Sequence, residues 1–138
     1  MNCIDIEVMS LKDGKTYRAP VSAYPRAVAG NDIKIVEPDE KVIKLGEIRI
    51  LFDYPLTHCA ELTFTRKGGF SRKALYEAIY DGYNRIYSAE PDPGKIPGFA
   101  NRARSQGPHG IYGHYLEDLV IASVCEIKPG VYQPEINS

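Results

Sequence analysis

The sequence predicts an α+β fold: a mostly antiparallel sheet or small barrel, packed by one long amphipathic helix. Three observations lead there. Short β-prone runs, separated by glycine, proline or Asp-Gly breaks, dominate the chain before residue 66. A single long segment after it holds a helical period. A long Gly/Pro-rich loop then precedes an apolar run, VIASVCEI, with the pattern of a C-terminal strand.

The chain has 138 residues, which fits a single α+β domain over residues 1–138 with a real core. Hydrophobic residues make up 43% and charged residues 25%, ordinary globular usage that argues against wholesale disorder. A net charge of −1 argues against bulk nucleic acid as the main partner while leaving room for a local basic surface.

The elements follow in order. Ile4, Ile6 and Val8 alternate with Asp5 and Glu7, the period of one half-buried strand over residues 3–9. Asp13-Gly14 turns the chain and residues 16–18 return. The following APVSAYPRAVAGND has two prolines and no period, and reads as an extended surface loop. Strands are expected at 33–36, 41–45, 47–52 and 60–65, the last with Leu62 and Phe64 on one face. Residues 115–119 read as a short turn of helix entering the C-terminal strand, and Pro129-Gly130 turns the chain so that Val131-Tyr132 pairs back.

The helix begins after Ser71, whose hydroxyl suits an N-cap. Leu75, Ile79, Tyr83 and Ile86 form one apolar stripe, and Tyr76, Tyr80, Tyr83 and Tyr87 a second beside it. Rings at this spacing signal a helix lying on a sheet with hydroxyls at the rim. Gly82 costs about 1 kcal/mol against alanine inside a helix, which implies a close neighbour there.

The helix charges run against its dipole. Arg66, Lys67, Arg72 and Lys73 surround the positive N-terminus, while Glu90 and Asp92 follow the other end. One reading is solvated charge beside a turn. The other is an anion site in which Gly68 and Gly69 bare backbone N–H groups and Arg66, Lys67, Ser71 and Arg72 close around the ligand. The segment matches neither G-x-x-x-x-G-K-[ST] nor G-x-G-x-x-G.

Residues 91–113 are dense in glycine and proline, with Ile96, Phe99, Ile111 and Tyr112 as expected anchors. Lys95, Arg102 and Arg104 make this loop one-sidedly basic, and with Phe99, Tyr112 and Tyr115 it has the composition to pair phosphates or meet an acidic or phosphorylated peptide. His109 and His114 lie five residues apart, with Glu117 and Asp118 close behind. Imidazole beside carboxylate suits acid–base work near neutral pH. A histidine that only fixes its turn is the plainer reading, and the spacing is not H-E-x-x-H. His58 and Cys59 are adjacent, so on a strand their side chains point to opposite faces.

Cys3, Cys59 and Cys125 show no C-x-x-C or zinc spacing, so the sequence indicates no disulfide framework and no metal site. It leads instead to three small buried thiols in a reducing compartment. MNCIDIEVMS has neither a basic start nor a long apolar run, which points to an intracellular, cytoplasmic protein with no membrane partner.

The functional expectation is a non-catalytic binding or adaptor module that needs no cofactor. It contacts an anionic group on a protein or other partner through Arg66, Lys67, Gly68, Gly69, Ser71, Arg72, Arg102, Arg104, His109, Tyr112 and His114. The alternative is a small acid–base enzyme using His109 or His114 with Glu117 or Asp118. A homo-oligomer that buries surplus tyrosine, or a nucleic-acid partner, is compatible with the composition and less favoured.

Overall fold

Alternation along residues 47–52 sets the inward face of the sheet: Ile48, Ile50 and Phe52 are buried, whereas Glu47 and Arg49 are exposed. The computed structural model describes residues 2–12, 14–22, 34–90, 108–111 and 119–137. Its strands are β1 (Asn2–Ile4), β2 (Glu7–Lys12), β3 (Lys15–Ser22), β4 (Lys34–Ile35), β5 (Lys41–Ile43), β6 (Glu47–Phe52), β7 (Ala60–Thr65), β8 (Phe70–Ser71), β9 (Val120–Lys128) and β10 (Val131–Asn137). One helix, α1 (Arg72–Ser88), lies between β8 and β9.

The main sheet runs β4-β2-β3-β9-β10-β6-β7, with β1 also paired to β9, and β5 and β8 form a separate two-stranded ribbon. Among the described residues every strand pairing is antiparallel except β10 with β6. The fold is therefore α+β and mostly antiparallel, as the sequence predicts. The small-barrel variant is not formed: β4 and β7 end the strand path and do not pair with each other among the described residues. Most of the expected 91–113 loop, and the 115–118 turn, lie outside those residues.

The single strand expected at 3–9 is two. The chain leaves β9 at Ile4, with Cys3 opposite Cys125, and joins β3 at Glu7. Ile4 and Ile6 both still point inward, at 7% and 0% exposure, so the period-2 pattern runs through the break without a mark. The off-ladder carbonyl of Asp5 accepts a 2.9 Å hydrogen bond from Arg72 Nε.

A second correction concerns the cysteines. Cys3 and Cys125 form a disulfide, because they are direct cross-strand partners in the β1–β9 ladder. Cys3 and Cys59 are exposed and only Cys125 is buried, so the expectation of three small buried thiols fails. With it goes the argument for a reducing compartment, since disulfides persist where conditions oxidise. Widely separated cysteines carry no local signal of pairing; the register of β1 on β9 brings these two together.

Helix α1 follows its sequence closely. Ser71 Oγ accepts from the Ala74 N–H at 3.1 Å, the expected N-cap. Leu75, Ile79, Tyr83 and Ile86 are each at most 1% exposed; such burial stabilises by about 1.5–3 kcal/mol per large apolar side chain. The Tyr83 ring meets the Phe52 ring edge-on at 4.9 Å, and its hydroxyl donates to the Tyr54 carbonyl at 2.8 Å. Among the described residues no helix is long and apolar enough to cross a membrane.

Tyr76 is also buried, yet its hydroxyl has no hydrogen-bond partner among the described residues. Burial and, secondarily, the neighbouring Tyr80 push its pKa up to about 12. Burial likewise pushes Tyr83 upward. An unfolded tyrosine ionises near 10, so between about pH 10 and 12 the unfolded chain loses protons that the folded chain keeps. Stability is therefore flat in this term below pH 10 and falls above it. Urea midpoints should show Tyr76→Phe no less stable than the parent at pH 7 and less weakened at pH 11, because its orphan hydroxyl has gone.

Candidate functional site

The N–H groups of the first helical turn are engaged within the chain. Arg72 N–H donates to the Glu40 carbonyl at 2.9 Å, Lys73 N–H to the Pro38 carbonyl at 3.0 Å, and Ala74 N–H to Ser71 Oγ. The segment 37–40 folds over the helix start with Glu37 at a φ of +49°, in the left-handed region that non-glycine residues rarely adopt. The Arg72 side chain, 14% exposed, is drawn into the same clamp. Its guanidinium donates to the Glu37 carbonyl at 2.9 Å and meets the Glu40 carboxylate at 3.3 Å and that of Glu37 at 3.7 Å. A hydrogen bond from Glu37 and the contact with Arg72 hold the Glu40 carboxyl below its ordinary pKa.

Ser71 and Arg72 thus serve the cap and the clamp. The cations at this end that run against the helix dipole include one, Arg72, that the molecule neutralises itself. At the other end Arg85 runs with the dipole and pairs with Asp81 at 2.6 Å.

Lys73 stays exposed in the first helical turn, whereas Arg66 and Lys67 lie before the helix, beside a glycine turn. Gly68 and Gly69 adopt φ values of +86° and +94°, closing a turn in which Gly69 N–H donates to the Arg66 carbonyl at 3.0 Å. Gly69 lies so close to β5 that a Cβ there would collide with the Ile43 carbonyl and stand 3.1 Å from the Lys44 backbone. Arg66 N–H is anchored on the Gly46 carbonyl at 2.8 Å. These contacts set the 66–69 turn beside the end of β5, and Lys41 Nζ reaches within 3.5 Å of the point a Gly68 Cβ would occupy. Lys41, Lys44, Arg66 and Lys67 are all exposed, and among the described residues none forms an ion pair.

From this cationic lip a groove of about 230 Å³ runs between β7 and α1. Phe64, Phe70, Ala74 and Ala78 give it an apolar floor, and Thr65, Arg66, Glu77 and Asp81 complete its lining. Arg85, held by Asp81, lies 5.6 Å from the centroid of the Phe64 ring.

The histidine segment has a different position. The His109 carbonyl accepts from the N–H groups of Thr57 and His58 at 3.0 and 3.1 Å, and the Gly110 carbonyl accepts from Thr57 Oγ1 at 2.7 Å. Ile111, fully buried, bridges to Leu56. The segment braces the chain just before β7, whereas the lip follows β7. A six-residue strand spans about 20 Å, so His109 and the lip stand at opposite ends of it and do not form one site. Arg102, Arg104, Tyr112, His114, Glu117 and Asp118 lie outside the described residues.

Near the brace, Cys59 Sγ donates to Asp53 Oδ1 at 2.9 Å. That hydrogen bond, with some burial, pushes the thiol pKa up, which keeps Cys59 protonated and a poor nucleophile. No group of three or more His, Cys, Asp or Glu among the described residues is placed to hold a metal ion.

Lys41 and Lys44 were missed by sequence reasoning. They look like the polar ends of a short strand, and their role depends on β8, a two-residue strand too short to carry a pattern. The only available signal is K-V-I-K itself, two lysines flanking an apolar pair. No protein-family model matches the chain, and neither a curated protein nor a solved structure matches it.

Proposed function

We propose that the chain is a non-catalytic binding module that contacts an acidic segment of a partner protein through the lip formed by Lys41, Lys44, Arg66 and Lys67. The observation that carries this reading is four exposed cations assembled around one glycine turn, none with a carboxylate partner among the described residues. In a chain of net charge −1, such a local concentration supports steering of an anionic partner. A compact patch suits a few carboxylates better than the long track of a nucleic acid backbone. The exposed Gly68, its backbone bared in the turn, adds a place where a carboxylate approaches the main chain closely.

Exposed ion pairs contribute only about 0.2–1 kcal/mol each. Four of them fall short of the roughly 8 kcal/mol of a micromolar complex, so charge alone gives fast, weak, salt-sensitive binding. Titrating a fluorescein-labelled glutamate–glycine octapeptide should show affinity falling steeply between about 50 and 300 mM salt, as screening shortens. Arg66→Glu with Lys67→Glu should weaken binding at least tenfold at low salt, while the circular dichroism melt stays unchanged. Equal binding by parent and variant contradicts the proposal.

A further inference from the structure

The second source of binding lies beside the lip. β7 ends the sheet, and its outer edge is unpaired among the described residues. Proteins ordinarily blunt such an edge with proline, lysine or a bulge. The β7 sequence AELTFT contains none of the first two, and its ladder with β6 runs from Glu47–Thr65 to Phe52–Ala60 without a register shift. β10 offers a contrast, because beyond Tyr132 it leaves β6 and carries Pro134.

Beside that edge lies the groove, where Phe64, Phe70, Ala74 and Ala78 form an apolar floor of a size suited to one or two aliphatic side chains. Arg66, next to Lys67 in the lip, lines the groove as well. We infer that β7 accepts an extended peptide segment of the partner as an added strand, with aliphatic side chains at alternate positions in the groove and acidic residues at the lip. Backbone hydrogen bonding to β7 supplies affinity, alternation in the groove supplies selectivity, and the cations choose an acidic flank. The occupant is a peptide rather than a second copy of this chain because charge complementarity decides it: an apposed β7 brings no free carboxylate of its own to the lip, since Glu61, the one acidic residue of that strand, is already paired with Arg49 at 3.0 Å.

This inference rests on the lip reading above, and the experiment separates the two. The probe is a labelled octapeptide that alternates valine with threonine and ends in two glutamates, titrated into the full chain beside the glutamate–glycine peptide. Two further versions carry N-methyl groups on alternate backbone nitrogens, one in each phase. Strand addition predicts that the alternating peptide binds at least tenfold more tightly than the glutamate–glycine peptide. It also predicts that one methylated phase loses that advantage while the other keeps it, because only alternate amides face the sheet. Equal behaviour of the two phases, or equal affinity of the two unmethylated peptides, overturns strand addition. The lip reading then stands if the glutamate–glycine peptide still binds and is lost with Arg66→Glu and Lys67→Glu. Absence of binding by either peptide removes both readings. Sedimentation as a dimer without peptide, with β7 amides already protected from exchange, assigns the edge to a second copy and overturns the peptide.

Discussion

Reducing the Cys3–Cys125 disulfide lowers the stability of this protein by about 2–5 kcal/mol, within the usual cost of removing a native cross-link. The bond closes a loop across a sequence separation of 122, so it restricts nearly the whole unfolded chain. The native state also changes locally. Strand β1 is three residues long and rests on β9 alone. Once it is free to leave, Ile4 reaches water and the Asp5 carbonyl no longer holds Arg72, which ties the N-terminus to the clamp over α1. Urea unfolding with and without dithiothreitol measures the loss, and Cys3→Ser with Cys125→Ser should reproduce it. Thiol titration of the unreduced, denatured chain should find one free thiol, Cys59, and three after reduction. Three thiols before reduction, or superimposable unfolding curves, contradict the assignment.

Gly82→Ala destabilises although alanine is the better helix former. The Phe52 ring lies directly on Gly82, and an added Cβ would stand 2.7 Å from Cε2 and 3.0 Å from Cε1. Overpacking of this kind costs about 1–3 kcal/mol, which outweighs the roughly 1 kcal/mol gained in helix propensity unless the ring moves. The ring is not free to move, since Phe52 is fully buried and packs edge-on against Tyr83. Phe52→Ala costs about 3–5 kcal/mol by leaving a cavity. The double variant should be more stable than the two separate losses imply, because the methyl group added at position 82 enters space the ring has vacated. Additive losses in the urea cycle contradict a direct contact.

Where the sequence was legible, it was legible through period. The buried stripe of α1 and the Ser71 cap follow from spacing and residue type alone, and so does a strand over residues 47–52. Gly82 signalled a close approach, and the structure supplies the Phe52 ring as its cause. Pattern failed where tertiary register decides. Ile4 and Ile6 face the core on both sides of the break between β1 and β2, so no residue type marks it. The Cys3–Cys125 bond depends on which strand β1 joins. At the helix start, charge counting placed Arg72 with Arg66 and Lys67. The left-handed turn at Glu37, which folds Glu40 over Arg72, pairs it within the chain instead, and an ordinary glutamate gives no warning of that turn.

We propose that anions meet the glycine turn and its flanking lysines, while residues 37–40 fold over the helix start. Residue-resolved NMR of the titration with the glutamate–glycine octapeptide tests it most directly. The amides of Lys44, Lys67 and Gly68 should move most, while Arg72, Lys73 and Ala74, already bonded to Glu40, Pro38 and Ser71, stay nearly still. The largest shifts at Arg72–Ala74, with none at Lys67 and Gly68, would contradict it.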